Sequence, residues 1–532
     1  MDLNLQDETS LSTCLPDTKS SSINKSLFKD KSAITKAVII AAGNGSRLQG
    51  YQNGKPKPLV KVGGVPLLKR VILSAKKIGI RDFVIVLGYQ AARIRKSIKA
   101  QKLGVRITWV RNLDWRKPNG ISVLKAEKFV NDKFFLFMSD HVYDPNILQK
   151  VKNVKLAKEH GLLCVDSRLN KISNLDDATK VRTENNQLVN LGKSLTDFNA
   201  IDVGIFICTP DIFDALRQSQ IDGDYSLSGG IRVLSQEGKM CTLDIGDHFW
   251  LDVDTKPDVK HAERILLEST RSNSDGIVAK AINRKISNKI TKWLIKTPIT
   301  PNQISLFNLC LTAFIGWLVS FGTPLHTILG GILFQFASIL DGCDGEVAQI
   351  KLKDSRLGAF VDTLTDHLSY FFFIIGVTVG AYRNIHDPSV FYITGASLVY
   401  LVIALRIGLL YLNKEGSGSL RDLDQDIADL NHSSQNASYL KFFGFVHHLG
   451  RRDLFSFGGF LIMLWGNITL FYWGLMGAVN LMSTGVSFSA AALLSQRHNL
   501  NLFNPIRRVL SYITNLFSNP EIELQPKKEL SE

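Results

Sequence analysis

Along the first half of the chain, short apolar runs are separated by polar, glycine-bearing turns. Along the second half, apolar residues run on for lengths that no strand needs. Ala37-Val38-Ile39-Ile40-Ala41-Ala42 is an unbroken apolar run closed by Gly43-Asn44-Gly45, which predicts a strand buried on both faces. Leu67 to Lys77 carries helical periodicity. Asp82 to Leu87 predicts a second strand closed by Gly88, and Val105 to Val110 and Phe134 to Met138 predict two more. Strands alternating with helical segments predict an α/β domain over residues 36–265, a mostly parallel sheet with helices on both faces.

Thr297 to Leu340 is a stretch of 44 residues without Asp, Glu, Lys or Arg, and Leu454 to Gln496 is another of 43. About 20 apolar residues cross a bilayer, so each run is long enough for two spans. Six spans are predicted, over about 303–322, 325–342, 357–380, 389–412, 454–473 and 476–495, making 301–496 an all-α, six-helix membrane domain. In the linker before it (266–300), Ile282, Ile286, Ile290, Trp293 and Leu294 recur at helical spacing. Lys280, Arg284, Lys285, Lys289, Lys292 and Lys296 are interleaved with them, the pattern of a basic amphipathic helix lying on an anionic leaflet.

Composition sharpens this picture. The 532 residues carry 63 Lys and Arg against 48 Asp and Glu, a formal net charge of +15. If the N-terminus is cytosolic, the outer loops near 323, 381–388 and 474 hold one basic residue, Arg383. The inner side then collects Lys351, Lys353, Arg356, Lys414, Arg421, Lys441, Arg451, Arg452, Arg497, Arg507 and Arg508. The expectation is a multi-pass protein of the cell membrane, with the α/β domain, a disordered leader (1–35) and a tail (497–532) in the cytosol. Charge gathered at the membrane face needs no nucleic-acid partner. The leader has no apolar core and does not read as a signal peptide, and no two of the six cysteines sit at CxxC spacing. A wholly soluble, disordered or fibrous chain is excluded.

The loop after the first strand, Ala41-Ala42-Gly43-Asn44-Gly45-Ser46-Arg47-Leu48, is followed by Lys55-Pro56-Lys57-Pro58-Leu59. Gly43 and Gly45 allow backbone N–H groups to approach phosphate oxygens, and Arg47 and Lys57 neutralise a triphosphate and a departing pyrophosphate. A bare Gly-x-Gly marks only a tight turn. The full string resembles the signature of sugar-phosphate nucleotidyltransferases, which implies an α/β Rossmann-like nucleotidyltransferase domain and attack of a sugar phosphate on the α-phosphate of a nucleoside triphosphate. Asp140 in Phe137-Met138-Ser139-Asp140-His141 and Asp252 in Trp250-Leu251-Asp252-Val253-Asp254 match the family's Mg²⁺ (or Mn²⁺) ligands, although Asp254 competes with Asp252 for that assignment. Asn119-Gly120, Lys180 in Asp177-Ala178-Thr179-Lys180-Val181, and Lys193 in Gly192-Lys193-Ser194-Leu195 narrow the resemblance to inositol-1-phosphate cytidylyltransferases. There the lysines would bind the polyol phosphate; as isolated residues they read equally well as solvated surface charge.

In the second half, Asp341-Gly342-Cys343-Asp344-Gly345-Glu346-Val347-Ala348-Gln349 is followed, after eight residues, by Gly358, Asp362 and Asp366. Asp341 and Asp344 are spaced i,i+3, and Asp362 and Asp366 i,i+4, so each pair shares a helix face. A carboxylate at mid-bilayer costs about 2.5–3.5 kcal/mol, so four converging ones call for a cation. The string resembles the signature of CDP-alcohol phosphotransferases. That resemblance implies Asp341, Asp344 and Asp362 as metal ligands, Asp366 as ligand or general base, and Gly342, Gly345 and Gly358 as points of close approach by helices or nucleotide. Gln349 stands where the family has Arg.

Together the halves resemble bifunctional enzymes that make a CDP-polyol and then consume it in di-inositol phosphate synthesis. The resemblance implies CTP, inositol 1-phosphate and CDP-inositol as substrates, Mg²⁺ in both domains, and a homodimer through the membrane domain. A lipid acceptor in the second step, another polyol phosphate in the first, an inactive membrane anchor and a transporter are the alternatives.

Overall fold

The structure is a computed structural model that describes residues 34–414 and 452–498, apart from 49, 173–174, 272–275 and 277. Most of the leader, the stretch holding Arg421, Lys441 and Arg451, and the tail from 499 onward lie outside the described residues. The chain divides into two compact units. One comprises Met1–Thr270 with Lys292–Pro298 and Ala348–Lys353; the other comprises Arg271–Thr291, Ile299–Val347 and Asp354–Glu532.

The first unit is built on thirteen strands: β1 (Lys36–Ala41), β2 (Lys61–Val62), β3 (Val65–Pro66), β4 (Asp82–Leu87), β5 (Arg106–Arg111), β6 (Phe134–Met138), β7 (His141–Tyr143), β8 (Gly161–Asp166), β9 (Lys180–Glu184), β10 (Gln187–Gly192), β11 (Ala200–Cys208), β12 (Met240–Asp244) and β13 (Trp250–Asp252). Nine of them form one sheet in the order β5-β4-β1-β6-β11-β8-β12-β10-β9. Its helices are α1 (Leu67–Lys77), α2 (Ala91–Lys99), α3 (Asn119–Leu124), α4 (Pro145–Lys152), α5 (Asp211–Ile221), α6 (Leu227–Gln236) and α7 (Lys256–Glu268).

The apolar run of β1 is buried on both sides for a visible reason. Ala37, Ile39 and Ala41 join one core with Phe83, Ile85 and the inner face of α1. Val38 and Ile40 join the opposite core with Val84, Val86 and residues of α5 and α6. Alternate side chains point to opposite faces, so a two-sided strand must be apolar throughout. The expected mostly parallel sheet holds only in part, for β5-β4-β1-β6 and for the β8–β12 pair. β5, β4, β1 and β6 run parallel, but β11 crosses the middle antiparallel to β6 and β8, and β10 is antiparallel to β12 and β9. A strand covered on both faces reads the same in either direction, so the apolar pattern carried no sign of the reversal.

The second unit is helical. A π-helical turn (Ala279–Asn283) leads into α8 (Arg284–Leu294), followed by α9 (Pro301–Val319), α10 (Pro324–Ile350), α11 (Arg356–Ile385), α12 (Ser389–Lys414), α13 (Arg452–Met463) and α14 (Ile468–His498). Among the described residues, three helices are long and apolar enough to cross a membrane: Pro301–Val319, Pro324–Ile350 and Leu357–Ile385. Six crossings are not established. One boundary differs from expectation, because the chain turns at 464–467 rather than near 474. Gly466 adopts φ of 70°, and the Asn467 side chain accepts the backbone N–H of Leu470 to start α14. Gly474 stays helical inside α14.

Asn283, Ser287 and Thr291, four residues apart, are buried, whereas Ile282, Ile286 and Trp293 are exposed. Lys285, Lys289 and Lys292 are exposed beside those apolar residues, so the outward surface is mixed basic and apolar, the pattern of an interfacial helix. Leu294 departs from the predicted apolar face and is buried.

Candidate active sites

Three chain segments converge in the α/β unit. The first is the loop after β1 with the short 3-10 turn at Lys57–Leu59. Gly45 has φ of 55°, and a Cβ there would lie 2.5 Å from the Cβ of Lys57, so the loop and the lysine stem pack as only glycine allows. Gly43 faces open space.

The second segment is the turn between β6 and β7, which carries Asp140 and His141. The third is β13, paired antiparallel to β7 so that Asp252 lies opposite His141. Beyond β13 the chain is fixed by the cap of α7. The Asp258 carboxylate accepts the backbone N–H groups of Asp254 and Thr255 at 3.1 and 2.7 Å.

The result is a compact ion cluster. Lys57 Nζ lies 2.6 Å from Asp140, 2.6 Å from Asp254 and 3.5 Å from Asp252. Burial alone would lower the lysine pKa, but the three carboxylates outweigh it and hold Lys57 well above its usual range. Burial likewise opposes the Asp140 charge, and Lys57 with His141 holds that carboxyl well below the usual range. Asp252, part-exposed, is pushed up by partial desolvation and by the neighbouring Asp140 charge. His141 stacks on Trp250, its Nδ1 is 3.0 Å from Asp140, and the neighbouring Asp252 and Asp140 carboxylates raise its pKa to about 9 against the effect of burial.

The donor atoms of Asp140, His141 and Asp252 lie within 4.8 Å of one another, the one such group among the described residues. The oxygen donors fit Mg²⁺, and an ammonium already seated among the carboxylates shows that the cluster accommodates positive charge. Arg47 reaches Asp177 at 2.6 Å and Asp254 at 2.9 Å, and Lys193 reaches the other oxygen of Asp177 at 2.7 Å. Asp254 thus touches both candidate phosphate-binding cations, and sequence spacing alone did not rank it above Asp252. His141 and Asp177 were also missed as participants; their adjacency to Asp140 and Lys180 in the motif strings was the available signal.

Two of the proposed substrate residues serve packing here. The Asn119 side chain accepts the Leu227 backbone N–H at 2.9 Å, and a Cβ on Gly120 would meet the Tyr225 carbonyl oxygen at 2.6 Å, so both hold the start of α6. Lys180 lies over the Phe198 ring at 5.4 Å.

In the helical unit, Asp344 is buried near the end of α10. It accepts the Ser305 hydroxyl at 2.7 Å, and its carboxyl faces that of Asp362 on α11. Asp341 and Asp366 are part-exposed on the same two helices. An all-oxygen set of this kind suits a hard divalent cation. Gly342 faces Arg284 and Ser287, Gly345 faces open space, and Gly358 lies against its cap residue Ser355. Glu346, two positions after Asp344, is buried and accepts from Arg284 at 2.9 Å and Ser287 at 2.6 Å, which fastens α8 to α10.

Both units match families of known proteins. Residues 37–171 match the family described as MobA-like NTP transferase domain, and residues 298–419 match CDP-alcohol phosphatidyltransferase. A protein of Archaeoglobus fulgidus named "Bifunctional IPC transferase and DIPP synthase" is 33% identical over 70% of this chain and 71% of its own length. One of the same name from Rubrobacter xylanophilus is 33% identical over 65% of this chain and 77% of its own. The solved inositol-1-phosphate CTP transferase from T. maritima aligns at 25% identity and a TM-score of 0.40, covering 44% of this chain and 96% of that one. Identity at a third of positions, through both the nucleotidyltransferase and the phosphotransferase halves, makes this chain a member of the bifunctional IPC transferase and DIPP synthase family.

Proposed function

We propose that the α/β unit makes CDP-inositol from CTP and inositol 1-phosphate, and that the helical unit passes its inositol phosphate moiety to a hydroxyl of a second inositol 1-phosphate, releasing CMP. The observation that carries this reading is the cluster of Lys57 and Arg47 on Asp140, Asp252 and Asp254 beside the open face of Gly43, in one chain with the paired Asp344 and Asp362.

In the first step a phosphate oxygen of inositol 1-phosphate bonds to the α-phosphorus of CTP, and the bond to the bridging oxygen breaks as pyrophosphate leaves. Charge grows on that oxygen and on the α-phosphoryl group. Lys57 and Arg47 supply fixed positive charge there, and Gly43 leaves the backbone free to approach the phosphates. Asp140 and Asp252 would hold Mg²⁺, with Asp254 steering both cations, and the bound ion further neutralises the phosphates. Lys180 and Lys193 are assigned to the inositol phosphate.

In the second step an acceptor hydroxyl oxygen bonds to the phosphorus that carries inositol, and the bond to CMP breaks. The hydroxyl proton passes to Asp366. Asp341, Asp344 and Asp362 would hold the second divalent ion. The six-span topology with the α/β unit in the cytosol, and dimerisation through the helices, belong to the same proposal. A tether raises the concentration of CDP-inositol at the second site.

The test is mass spectrometry of products from the purified full chain given CTP, Mg²⁺ and inositol 1-phosphate without lipid. CDP-inositol followed by CMP and a phosphorylated di-inositol, with the second step lost in Asp366→Asn, is expected. CDP-inositol without CMP would redirect the second step towards a lipid acceptor, and no CDP-inositol would overturn the inositol assignment.

A further inference from the structure

Inside the helical unit lies a cavity of about 20 Å³ walled on one side by Phe334 and Ala337 of α10 and otherwise lined by Asn308 and Thr312 of α9, Ser338 of α10, Ser369 and Tyr370 of α11 and Ser456 of α13. Six polar side chains around one void are out of place in an apolar bundle, where each polar group left without a partner is costly. Asn308 is 4% exposed, and its Oδ1 has no hydrogen-bond partner. Thr312 spends its hydroxyl on the Asn308 carbonyl, and Ser338 pairs with Ser456 at 2.9 Å. Among the described residues, then, no group donates to this amide oxygen.

The position of the cavity follows from helix geometry. Ser338 precedes Asp341 by three residues, Ser369 follows Asp366 by three, and Asn308 follows Ser305, the hydroxyl bound to Asp344, by three. Chain direction reverses between α9 and α10 and again between α10 and α11, so all three offsets run the same way. They lead from the carboxylate-bearing ends into the bundle, by about 4.5 Å. The cavity is thus the floor beneath the carboxylates. That depth is comparable to the reach from one hydroxyl of a six-carbon ring to the hydroxyl opposite. A cavity of about 10–15 Å³ already admits a water, so this one has room for a hydroxyl group.

We propose that this cavity is the acceptor subsite of the phosphotransfer reaction. It receives a hydroxyl donor on Asn308 Oδ1, a water when the site is empty and a ring hydroxyl of the polyol-phosphate acceptor when it is loaded. An acyl chain placed here would leave the amide oxygen stranded, so the floor selects a polyol over a lipid. The inference rests on the second step proposed above and adds the residues that choose its acceptor.

The experiment measures CMP release by the full-length protein, varying inositol 1-phosphate at saturating CDP-inositol and then the reverse. Asn308→Leu, which fills the floor with an apolar side chain, is expected to raise the KM for inositol 1-phosphate about tenfold, the worth of one lost hydrogen bond. The KM for CDP-inositol, kcat and CDP-inositol formation by the other unit are expected to stay within about twofold. Ser369→Ala, a smaller change, is expected to move the same constant in the same direction. An unchanged acceptor KM in both variants, or a fall confined to kcat, overturns the subsite and leaves a structural water. The wild-type control reads the proposed second step separately: if it releases no CMP with inositol 1-phosphate, that step fails whatever the variants do.

Discussion

At the scale of single residues, charge in the α/β site is arranged around Lys57, whose ammonium contacts three carboxylates at once. Lys57→Met leaves Asp140, Asp252 and Asp254 facing one another without it. We expect CDP-inositol formation to fall by about 10²-fold or more, read as pyrophosphate release at saturating CTP. Asp254→Asn removes the contact shared by Lys57 and Arg47, and a loss of about tenfold is expected; activity equal to wild type would return the steering role to Asp252 alone. Asp202 offers a pH-dependent case. Burial pushes its carboxyl up to about 6, only partly offset by the Gly204 N–H and by His141. The unfolded chain ionises this group near pH 4, so folded-state stability falls as pH rises from about 4 to 6 and stays lower above. Asp202→Asn removes the cost. Its unfolding free energy at pH 7 should exceed that of wild type by on the order of 2–3 kcal/mol, read as a higher melting temperature, with the difference closing towards pH 4. The glycine loop, Lys57 and Asp140 were legible in the sequence because each sits in a contiguous string. Asp177 was not assigned a role, because its link to Arg47 spans 130 positions and no spacing rule connects them.

At the scale of elements, ladders and caps place these side chains. β13 pairs with β7, which sets Asp252 beside Asp140, and the capping box of α7 holds the intervening loop. In the helical unit α9 and α11 approach so closely that a Cβ on Gly376 would lie 2.0 Å from the Gly316 carbonyl oxygen. Gly376→Leu should therefore force the two helices apart, at a cost of at least about 1–3 kcal/mol, and displace Asp362 and Asp366 relative to Asp344. The expected result is loss of CMP release with CDP-inositol formation retained; normal CMP release would show that the contact is not needed. The four strands read from the sequence match β1, β4, β5 and β6 to within a residue, since period and burial coincide there, whereas β8 to β12 were not individually read. The turn at 464–467 was not legible, because Gly466 and Gly474 look alike in an apolar run, and only the backbone conformation of Gly466 separates them.

For the whole molecule, the question is how two chemistries share one chain. Asp362→Asn removes the carboxylate facing Asp344 and should leave the first reaction intact while CDP-inositol accumulates; a chelator should stop both reactions, and added Mg²⁺ should restore both. Equal loss of both reactions in Asp362→Asn would contradict separate sites. The division into an α/β unit and a helical unit was determined by the sequence alone, because strand-length apolar runs and span-length apolar runs obey different lengths and periods. So was the identity of both motifs, whose residues lie within a few positions of one another. Only the tertiary structure decided that β11 runs antiparallel, that Asp254 rather than Asp252 bridges Lys57 and Arg47, and that Asn308 lines a small cavity with Ser338, Ser369 and Ser456. Each of these depends on which distant segments meet, and local pattern carries no record of that: a two-sided apolar strand looks the same in either direction, two aspartates in one loop look interchangeable, and an asparagine within an apolar helix does not show what faces it.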